Sequence, residues 1–183
     1  MVVAIHQPNY LPWLGYFYKI WASEVFVFHD NIEFSKGNYH QRVYIRSSYT
    51  SMEKKFISVS LKRHSDFVLF KDLELNQDHD WQTKHLNILK NTYRQAPFFG
   101  TYFPEIEAIL MNSRNEIYFS KFCIHLVKHI LGLLAIERPF YISSNLPILP
   151  LKADYYNAAI VKYLDGSVYL SGIGGRLYQK ETT

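Results

Sequence analysis

The first segment of the chain brings together side chains that could do chemistry. A short apolar run, residues 2–5, leads directly into His6, Gln7, Asn9 and Tyr10. An imidazole can act as a general base or bind phosphate, and a carboxamide both donates and accepts hydrogen bonds. The alternative left open by the residues is a tight turn packed by aromatic rings, with His6 as a structural residue.

Charged side chains follow at short intervals. Lys19 lies one turn into the next predicted helix and could point a cation back towards a bound anion. Asp30 comes directly after His29 and a second apolar run, so it should lie at the same edge of a sheet. Lys36 and Arg42 would add positive charge suited to phosphate or carboxylate. For these two cations, a solvated loop with ordinary surface ion pairs is the open alternative.

A predicted helix in the middle of the chain carries Trp81, Lys84 and His85 in its first turns. His85 falls on the apolar stripe of this helix, where a histidine is more often a buried structural residue than a catalyst. His125 and His129 stand four residues apart on a later helix, without the glutamate of the zinc-protease motif. The sequence therefore predicts no metal site.

A glycine-rich loop near the end of the chain is a candidate phosphate cradle. Ser171, Gly172, Gly174, Gly175 and Arg176 follow a predicted strand. Hydroxyls, backbone amides and an arginine in that position can hold a phosphate. The loop matches neither the P-loop nor the dinucleotide fingerprint, and turns need glycine in any case.

The elements that would position these residues follow from the hydrophobic patterning. Residues 2–5 and 25–28 are predicted buried strands, and residues 16–22 between them a helix. Strand, loop, helix, strand is the order of a βαβ unit with a parallel sheet. The loop that carries His6 would then lie at the carboxyl end of the first strand, where ligands of open α/β sheets usually bind.

The remaining elements complete an α/β fold. The predictions are a hairpin of residues 41–48 and 54–62, a helix 81–95 capped by Asp80, a helix from Pro104, a helix 116–131 stopped by Gly132, strands 140–143 and 168–171, and a helix 153–164. We therefore expect a mainly parallel central sheet with flanking helices and an inserted β-hairpin. Neither a repeat nor a linker interrupts the chain, so residues 1–183 are predicted to form one domain.

The composition narrows the class of protein. A hydrophobic share of 48% and a charged share of 20% are those of an ordinary globular protein rather than a disordered one. The net charge of +4 comes without a dense Lys/Arg run, so nucleic acid is not an expected partner. The single Cys123 excludes an intramolecular disulfide and suits a reducing compartment. No signal peptide or membrane span is evident, so we expect a cytoplasmic protein that is not an integral membrane protein.

Several segments together resemble a known bacterial family. Residues 5–17, which read IHQPNYLPWLGYF and are soon followed by Lys19, resemble the opening signature of the WbqC-like family. Later segments are similar to its further blocks: residues 25–30, 34–36 and 41–42, residues 81–85, Tyr93, residues 97–98, Ser143 and Ser144, residues 169–172, Gly175 and Tyr178. Family members usually continue beyond the last block, so the chain is expected to lack that C-terminal segment.

The resemblance implies a role in the biosynthesis of surface polysaccharides such as O-antigen or capsule. The implied activity is acyl or aminoacyl transfer to an amino sugar while it is nucleotide-linked, with His6 as general base towards the sugar amine. Asp30 and His85 complete the predicted catalytic group. The predicted substrate-binding residues are Gln7, Asn9, Tyr10, Trp13, Lys19, Lys36, Gln41, Arg42, Trp81, Lys84, Ser171, Gly172, Gly174, Gly175 and Arg176. The residues do not determine whether the protein uses a cofactor.

Two alternatives stand beside this reading. The chain could be a non-catalytic protein of the same pathway that binds a nucleotide-sugar or assembles with a partner enzyme. The strand, proline loop, helix and strand also distantly resemble the start of nucleotidylyltransferase-like folds. In those folds the loop carries a His-x-x-His, whereas here Tyr10 and Trp13 occupy the two positions, which argues against nucleotidyl transfer.

Overall fold

The computed structural model describes residues 1–35, 39–150 and 152–172. In chain order its helices and strands are β1 (Val2–His6), α1 (Leu14–Trp21), β2 (Val25–Phe28), β3 (Arg42–Arg46), β4 (Lys54–Ser58), α2 (Trp81–Tyr93), α3 (Phe99–Asn112), α4 (Phe119–Leu133), β5 (Phe140–Ile142), α5 (Ala153–Tyr163) and β6 (Val168–Leu170), with short 3₁₀ turns at Phe70–Asp72 and Ser143–Asn145.

A four-stranded parallel sheet forms the centre of the described structure. The strand order is β5-β2-β1-β6, and β1 pairs with β2 from Val3 opposite Val25 to His6 opposite Phe28. This confirms the predicted α/β class with a parallel sheet. All four strands end at one edge, which gathers the residues that follow them.

The order of the strands also marks the place at this edge where a crevice is expected. The chain leaves β1 through α1 towards β2, whereas it leaves β5 through α5 and returns to β6 on the other side of β1. The connections therefore diverge between β1 and β6. In open α/β sheets such a switch point is the usual place for a ligand.

Helices cover both faces of the sheet because its strands are apolar on both sides. On one face, Tyr16 and Ile20 of α1 and Val127 of α4 pack with Phe26 and Phe28. The other face is covered by α5, whose buried side chains pack against β1 and β2; this cluster contains Val3, Ile5, Val27, Tyr156 and Ile160.

The predicted hairpin is confirmed as a separate antiparallel ribbon of β3 and β4, with Val43 opposite Ile57. Its inner side chains, Ile45 and Ile57, join a large cluster with Trp81 and Phe122. Helices α2 and α4 therefore hold the hairpin through its apolar face.

Several predicted helix boundaries are wrong: α1 begins at Leu14 instead of residue 16, and α4 begins at Phe119 instead of residue 116. The helix expected to begin at Pro104 begins at Phe99, and Pro104 lies inside it. The helix expected to stop at Gly132 runs through that residue to Leu133. The chain turns away from the helix at Ala135, which has a positive φ of 52°, while the Ile136 amide donates to the Leu131 carbonyl at 3.0 Å. An alanine thus takes the left-handed position that glycine usually holds.

No helix within the described residues is both long and apolar enough to cross a membrane.

Candidate functional site

His6 is the last residue of β1 and lies half-buried at the carboxyl edge of the sheet. Two aromatic rings enclose it, with centroids 5.8 Å away for Trp13 and 4.9 Å away for Tyr16. Its Nδ1 is 3.1 Å from the Gln7 carbonyl oxygen, which also accepts from the Tyr16 hydroxyl at 3.0 Å. Because a carbonyl oxygen can only accept, Nδ1 carries the proton and Nε2 is left as an acceptor.

Lys19 reaches back from α1 into the switch point. Its ammonium donates to the Ile5 carbonyl at 2.7 Å and lies 5.9 Å from the centroid of the Tyr169 ring in β6. Burial lowers the pKa of Lys19 to about 8. Among the described residues no carboxylate pairs with this ammonium, so the crevice between β1 and β6 holds a positive charge suited to an anionic ligand.

Two further histidines lie near enough to interact electrostatically with His6. Burial, with a smaller contribution from electrostatic repulsion by Lys19, His40 and His29, lowers the pKa of His6 to about 3. Burial also lowers the pKa of both His29 and His40 to about 4. The edge of the sheet therefore presents neutral imidazoles at neutral pH.

Sequence reasoning did not identify His40. Its Nδ1 lies 2.9 Å from the buried side chain of Asn9, and the orientation that satisfies the amide makes the Asn9 nitrogen the donor. His40 comes after the predicted Asp30 region and before the hairpin, in a stretch without a period or a motif. The one sequence signal for His40 is that it directly precedes Gln41, a predicted substrate-binding residue.

The amino end of α1 faces the same region. Trp13 is its N-cap residue, makes no side-chain capping bond, and is followed by no acidic residue in the first turn. The Trp13 indole lies over Gly15, where an added Cβ would come within 2.6 Å of the indole nitrogen. The partial positive charge of the helix end is therefore not neutralised by a side chain, and the indole ring is 54% exposed beside it.

Asp30 follows β2 and is buried, with 4% of its surface exposed. Its Oδ1 accepts from the Ser143 hydroxyl at 3.0 Å and the Ser144 amide at 2.9 Å, and its Oδ2 accepts from the Ser144 hydroxyl at 2.8 Å. The carboxylate thus joins the ends of β2 and β5. The sequence singled out Asp30 and, separately, the two serines, but not their contact.

His85 has a different environment from His6. The Tyr10 hydroxyl and His85 Nδ1 are 2.9 Å apart and buried, and the Trp81 ring packs against the imidazole at a centroid distance of 5.3 Å. Burial first, and then the charge of Lys84, lower the pKa of His85 to about 4. These contacts belong to the cluster beneath the hairpin, so the three predicted catalytic residues occupy three distinct surroundings.

The other predicted binding residues are dispersed. The Gln41 carbonyl accepts from the Val59 amide at 2.8 Å, the Arg42 guanidinium lies 4.5 Å from the Phe56 ring, and Lys84 is exposed. The Ser171 hydroxyl donates to the Gly172 carbonyl at 3.2 Å, just after β6. The predicted residues that lie outside the described part of the chain are Lys36, Gly174, Gly175 and Arg176.

The described residues contain no group of three or more His, Cys, Asp or Glu side chains that could hold a metal ion.

Comparison with family models identifies the family of the chain. The model of the WbqC-like protein family matches residues 7–183. The chain is also 31% identical, over 98 residues, to a protein from Mycobacterium tuberculosis named "Uncharacterized protein Rv1507c". That match covers 54% of this chain and 41% of the relative, so the chain spans less than half the length of that protein. No solved structure gives a significant match.

Proposed function

The chain belongs to the WbqC-like protein family, and from this premise we propose that it modifies sugars in surface-polysaccharide biosynthesis. The reaction we propose is transfer of an acyl or aminoacyl group to the amine of a nucleotide-linked amino sugar in the cytoplasm. The crevice between β1 and β6 would hold the sugar nucleotide.

The observation that carries the proposal is the state of His6 at this crevice. Its pKa of about 3 keeps the imidazole neutral at neutral pH, and its Nδ1 proton is engaged by the Gln7 carbonyl. A neutral Nε2 is therefore available to accept a proton. As the sugar nitrogen attacks the acyl carbonyl, a C–N bond forms, the bond to the donor's leaving group breaks, and Nε2 takes the amine proton.

Lys19 and the uncapped end of α1 supply the anion-binding part of the same site. They would hold the diphosphate, while the exposed Trp13 ring offers a surface for the sugar or the base. Bound phosphate would also neutralise the charge of Lys19, which is one of the causes of the low pKa of His6. Substrate binding would thus raise the basicity of His6 when it is needed.

One feature favours the second candidate, a non-catalytic protein that binds the nucleotide-sugar. A pKa of about 3 lies far below neutral pH, and the best general bases have a pKa near the working pH. In that case His6 would only hydrogen-bond the ligand. The two candidates differ in whether loss of the imidazole stops turnover or only weakens binding.

The first experiment is thermal unfolding of the purified chain with UDP- and dTDP-linked amino sugars, their neutral-sugar counterparts and free nucleotides. A ligand at about a hundred times its dissociation constant adds roughly 2.7 kcal/mol to the free energy of unfolding. We expect stabilisation by an amino-sugar nucleotide and a weaker effect in Lys19→Met. His125→Ala, which changes an exposed histidine of α4, is the matched control and should behave as the wild type.

Transfer to the ligand found in this way is then assayed with acyl-coenzyme A and aminoacyl donors. The transferase proposal expects His6→Gln to lose at least about a hundredfold in kcat, in line with general-base catalysis, while binding remains. Unchanged turnover in His6→Gln would remove the assigned role. Binding without turnover in the wild type would favour the second candidate, and no stabilisation by any nucleotide would contradict both.

A further inference from the structure

A second cavity opens at the same edge of the sheet, beside β2 and β5 rather than β1. It has a volume of about 350 Å³, and its walls come from the ends of β2 and β5, the turn Phe70–Asp72 and the first turn of α4. Its charged lining consists of Asp30, Lys71, Asp72 and Lys121. Neither His6 nor Lys19 lines it, so the cavity is distinct from the crevice of the proposed function.

The buried wall of the cavity carries the Asp30 carboxylate, which forms no ion pair with a cation of the described part of the chain. The Ser143 hydroxyl oxygen accepts from the Asp30 and Asn31 amides at 3.1 and 3.2 Å, so its own proton is directed at Asp30 Oδ1. With the Ser144 amide, Oδ1 therefore has two donors, whereas among the described residues Oδ2 has only the Ser144 hydroxyl. Since each carboxylate oxygen accepts about two hydrogen bonds, one acceptor position on Oδ2 is open.

Buried carboxylates are rare without a positive partner. Within the described residues, no ion pair joins Asp30 to a lysine, an arginine or a histidine, although two lysines line the same cavity. A ligand that brought its own ammonium group would supply both the missing positive charge and a donor for Oδ2.

Another part of the lining carries two ammonium groups, with the exposed carboxylate of Asp72 beside them. Lys71 and Lys121 pair with no carboxylate in the described structure, and the Lys121 ammonium lies 4.9 Å from the centroid of the Tyr118 ring. The Glu116 carboxylate accepts from the Ile117 and Tyr118 amides just before α4, so the positive potential here comes from the two ammonium groups and not from the helix end. This part of the cavity suits a carboxylate or a phosphate.

We infer that this cavity binds a small zwitterion, with its primary ammonium at Asp30 and its anionic group at Lys71 and Lys121. A simple anion would meet the Asp30 carboxylate, and a simple cation would meet the two lysines. The volume lies within the range of small-ligand pockets. An α-amino acid and an amino-sugar phosphate share this chemistry.

The test measures binding by calorimetry to the whole chain. One set of probes is the L-α-amino acids with their N-acetyl derivatives, and the other is glucosamine 6-phosphate with glucose 6-phosphate. We expect at least one zwitterion to bind, and its partner without an ammonium group to bind at least about tenfold more weakly, as for loss of one charged hydrogen bond. Binding of a probe from the first set would identify the ligand as an amino acid, and binding of a probe from the second set would identify it as an amino-sugar phosphate.

Variants locate the binding. Asp30→Asn keeps the shape of the side chain and should weaken the zwitterion at least about tenfold while removing the preference for an ammonium group. Lys121→Ala, at an exposed position, should also weaken zwitterion binding. This variant tests the inference if Asp30→Asn does not fold. Asp78→Asn and Lys90→Ala make the same changes at exposed positions outside the cavity and should leave binding unchanged.

Three results would overturn the inference: no zwitterion binds, the neutral partner binds equally well, or the cavity variants bind like the wild type. His6→Ala separates this inference from the proposed function. Zwitterion binding should survive that change, and its loss would place the ligand in the other crevice.

Discussion

At the scale of single residues, the unusual feature is how many imidazoles are held neutral by burial. Burial lowers the pKa of His29, His40 and His85 to about 4 each and, together with nearby positive charge, that of His6 to about 3. The ordinary value is about 6.5, because water stabilises the charged ring better than the protein interior does. At pH values between the folded and the unfolded pKa, the folded state therefore binds fewer protons than the unfolded chain.

This difference predicts a pH dependence of stability with a definite sign. Folded pKa values of these bases are depressed, so the free energy of unfolding should be highest above pH 6.5 and fall as the pH drops from 6.5 towards 4. His29 and His85, which are 5% and 4% exposed, should each contribute up to about 1.4 kcal/mol per pH unit in that window. Urea unfolding at pH values from 4.5 to 7.5 measures the slope.

Substitutions assign this slope to the buried rings. His85→Gln should reduce the slope by the contribution of one buried histidine, whereas Asn87→Gln, a neutral change at an exposed position of the same helix, should leave the slope unchanged. A stability that stays level from pH 7 to pH 5 would show that these rings do not remain neutral in the folded protein.

At the scale of elements, the end of α4 shows how a single backbone conformation decides a boundary. Gly132 lies inside the helix with open space where a Cβ would stand, so its presence does not stop the helix. The chain turns at Ala135 instead, where φ is 52° and the last carbonyls are bonded by following amides. A left-handed conformation costs an L-residue roughly 1–2 kcal/mol, and this strain is present at Ala135 in the folded protein.

Ala135→Gly should therefore stabilise the protein by about 0.5–1 kcal/mol. The gain is the relief of the left-handed strain, reduced by the greater freedom of glycine in the unfolded chain. Because Ala135 is exposed, little packing is lost. Ala108→Gly, an exposed position inside α3, is the matched control and should destabilise by about 1 kcal/mol. Similar losses in both variants, measured by urea unfolding, would contradict the assignment of strain to Ala135.

At the scale of the whole molecule, the carboxyl edge of the sheet is held by contacts between distant parts of the chain. Ser143 lies 113 residues from Asp30, yet its hydroxyl accepts two backbone amides after β2 and donates to the Asp30 carboxylate. Everything between these residues, including the hairpin and helices α2 to α4, leaves the sheet after β2 and rejoins it at β5. Ser143 therefore links the two ends of the long segment that lies between β2 and β5.

Ser143→Ala should lower the free energy of unfolding by more than about 2 kcal/mol, because it leaves two buried backbone amides without an acceptor. Ser144→Ala removes a hydroxyl of the same kind at a half-buried position that water can reach, so its effect should be smaller. Equal effects of the two variants on the urea midpoint would show that the buried amides find another partner.

The parts of the fold that could be predicted are those with local signals. Val25–Phe28 forms a strand with the predicted bounds, and Asp80 caps α2 by accepting from the Thr83 amide. Apolar runs and capping residues act within a few positions of the chain, so they are visible in the sequence. The wrong boundaries of α3 and α4 depend on where the backbone is allowed to turn, and composition does not record this. The predicted single domain and the roles of the site residues stay predictions.

By itself, the sequence determined that buried strands alternate with helices, and therefore that the residues after the strands would gather at one edge of a parallel sheet. It did not determine which of those residues meet. The pairing of Asp30 with Ser143 and the approach of His40 to His6 came only from the tertiary structure. The physical reason is that strand order and loop path set distances between residues far apart in the chain, whereas patterning specifies only which face of its own element a residue occupies.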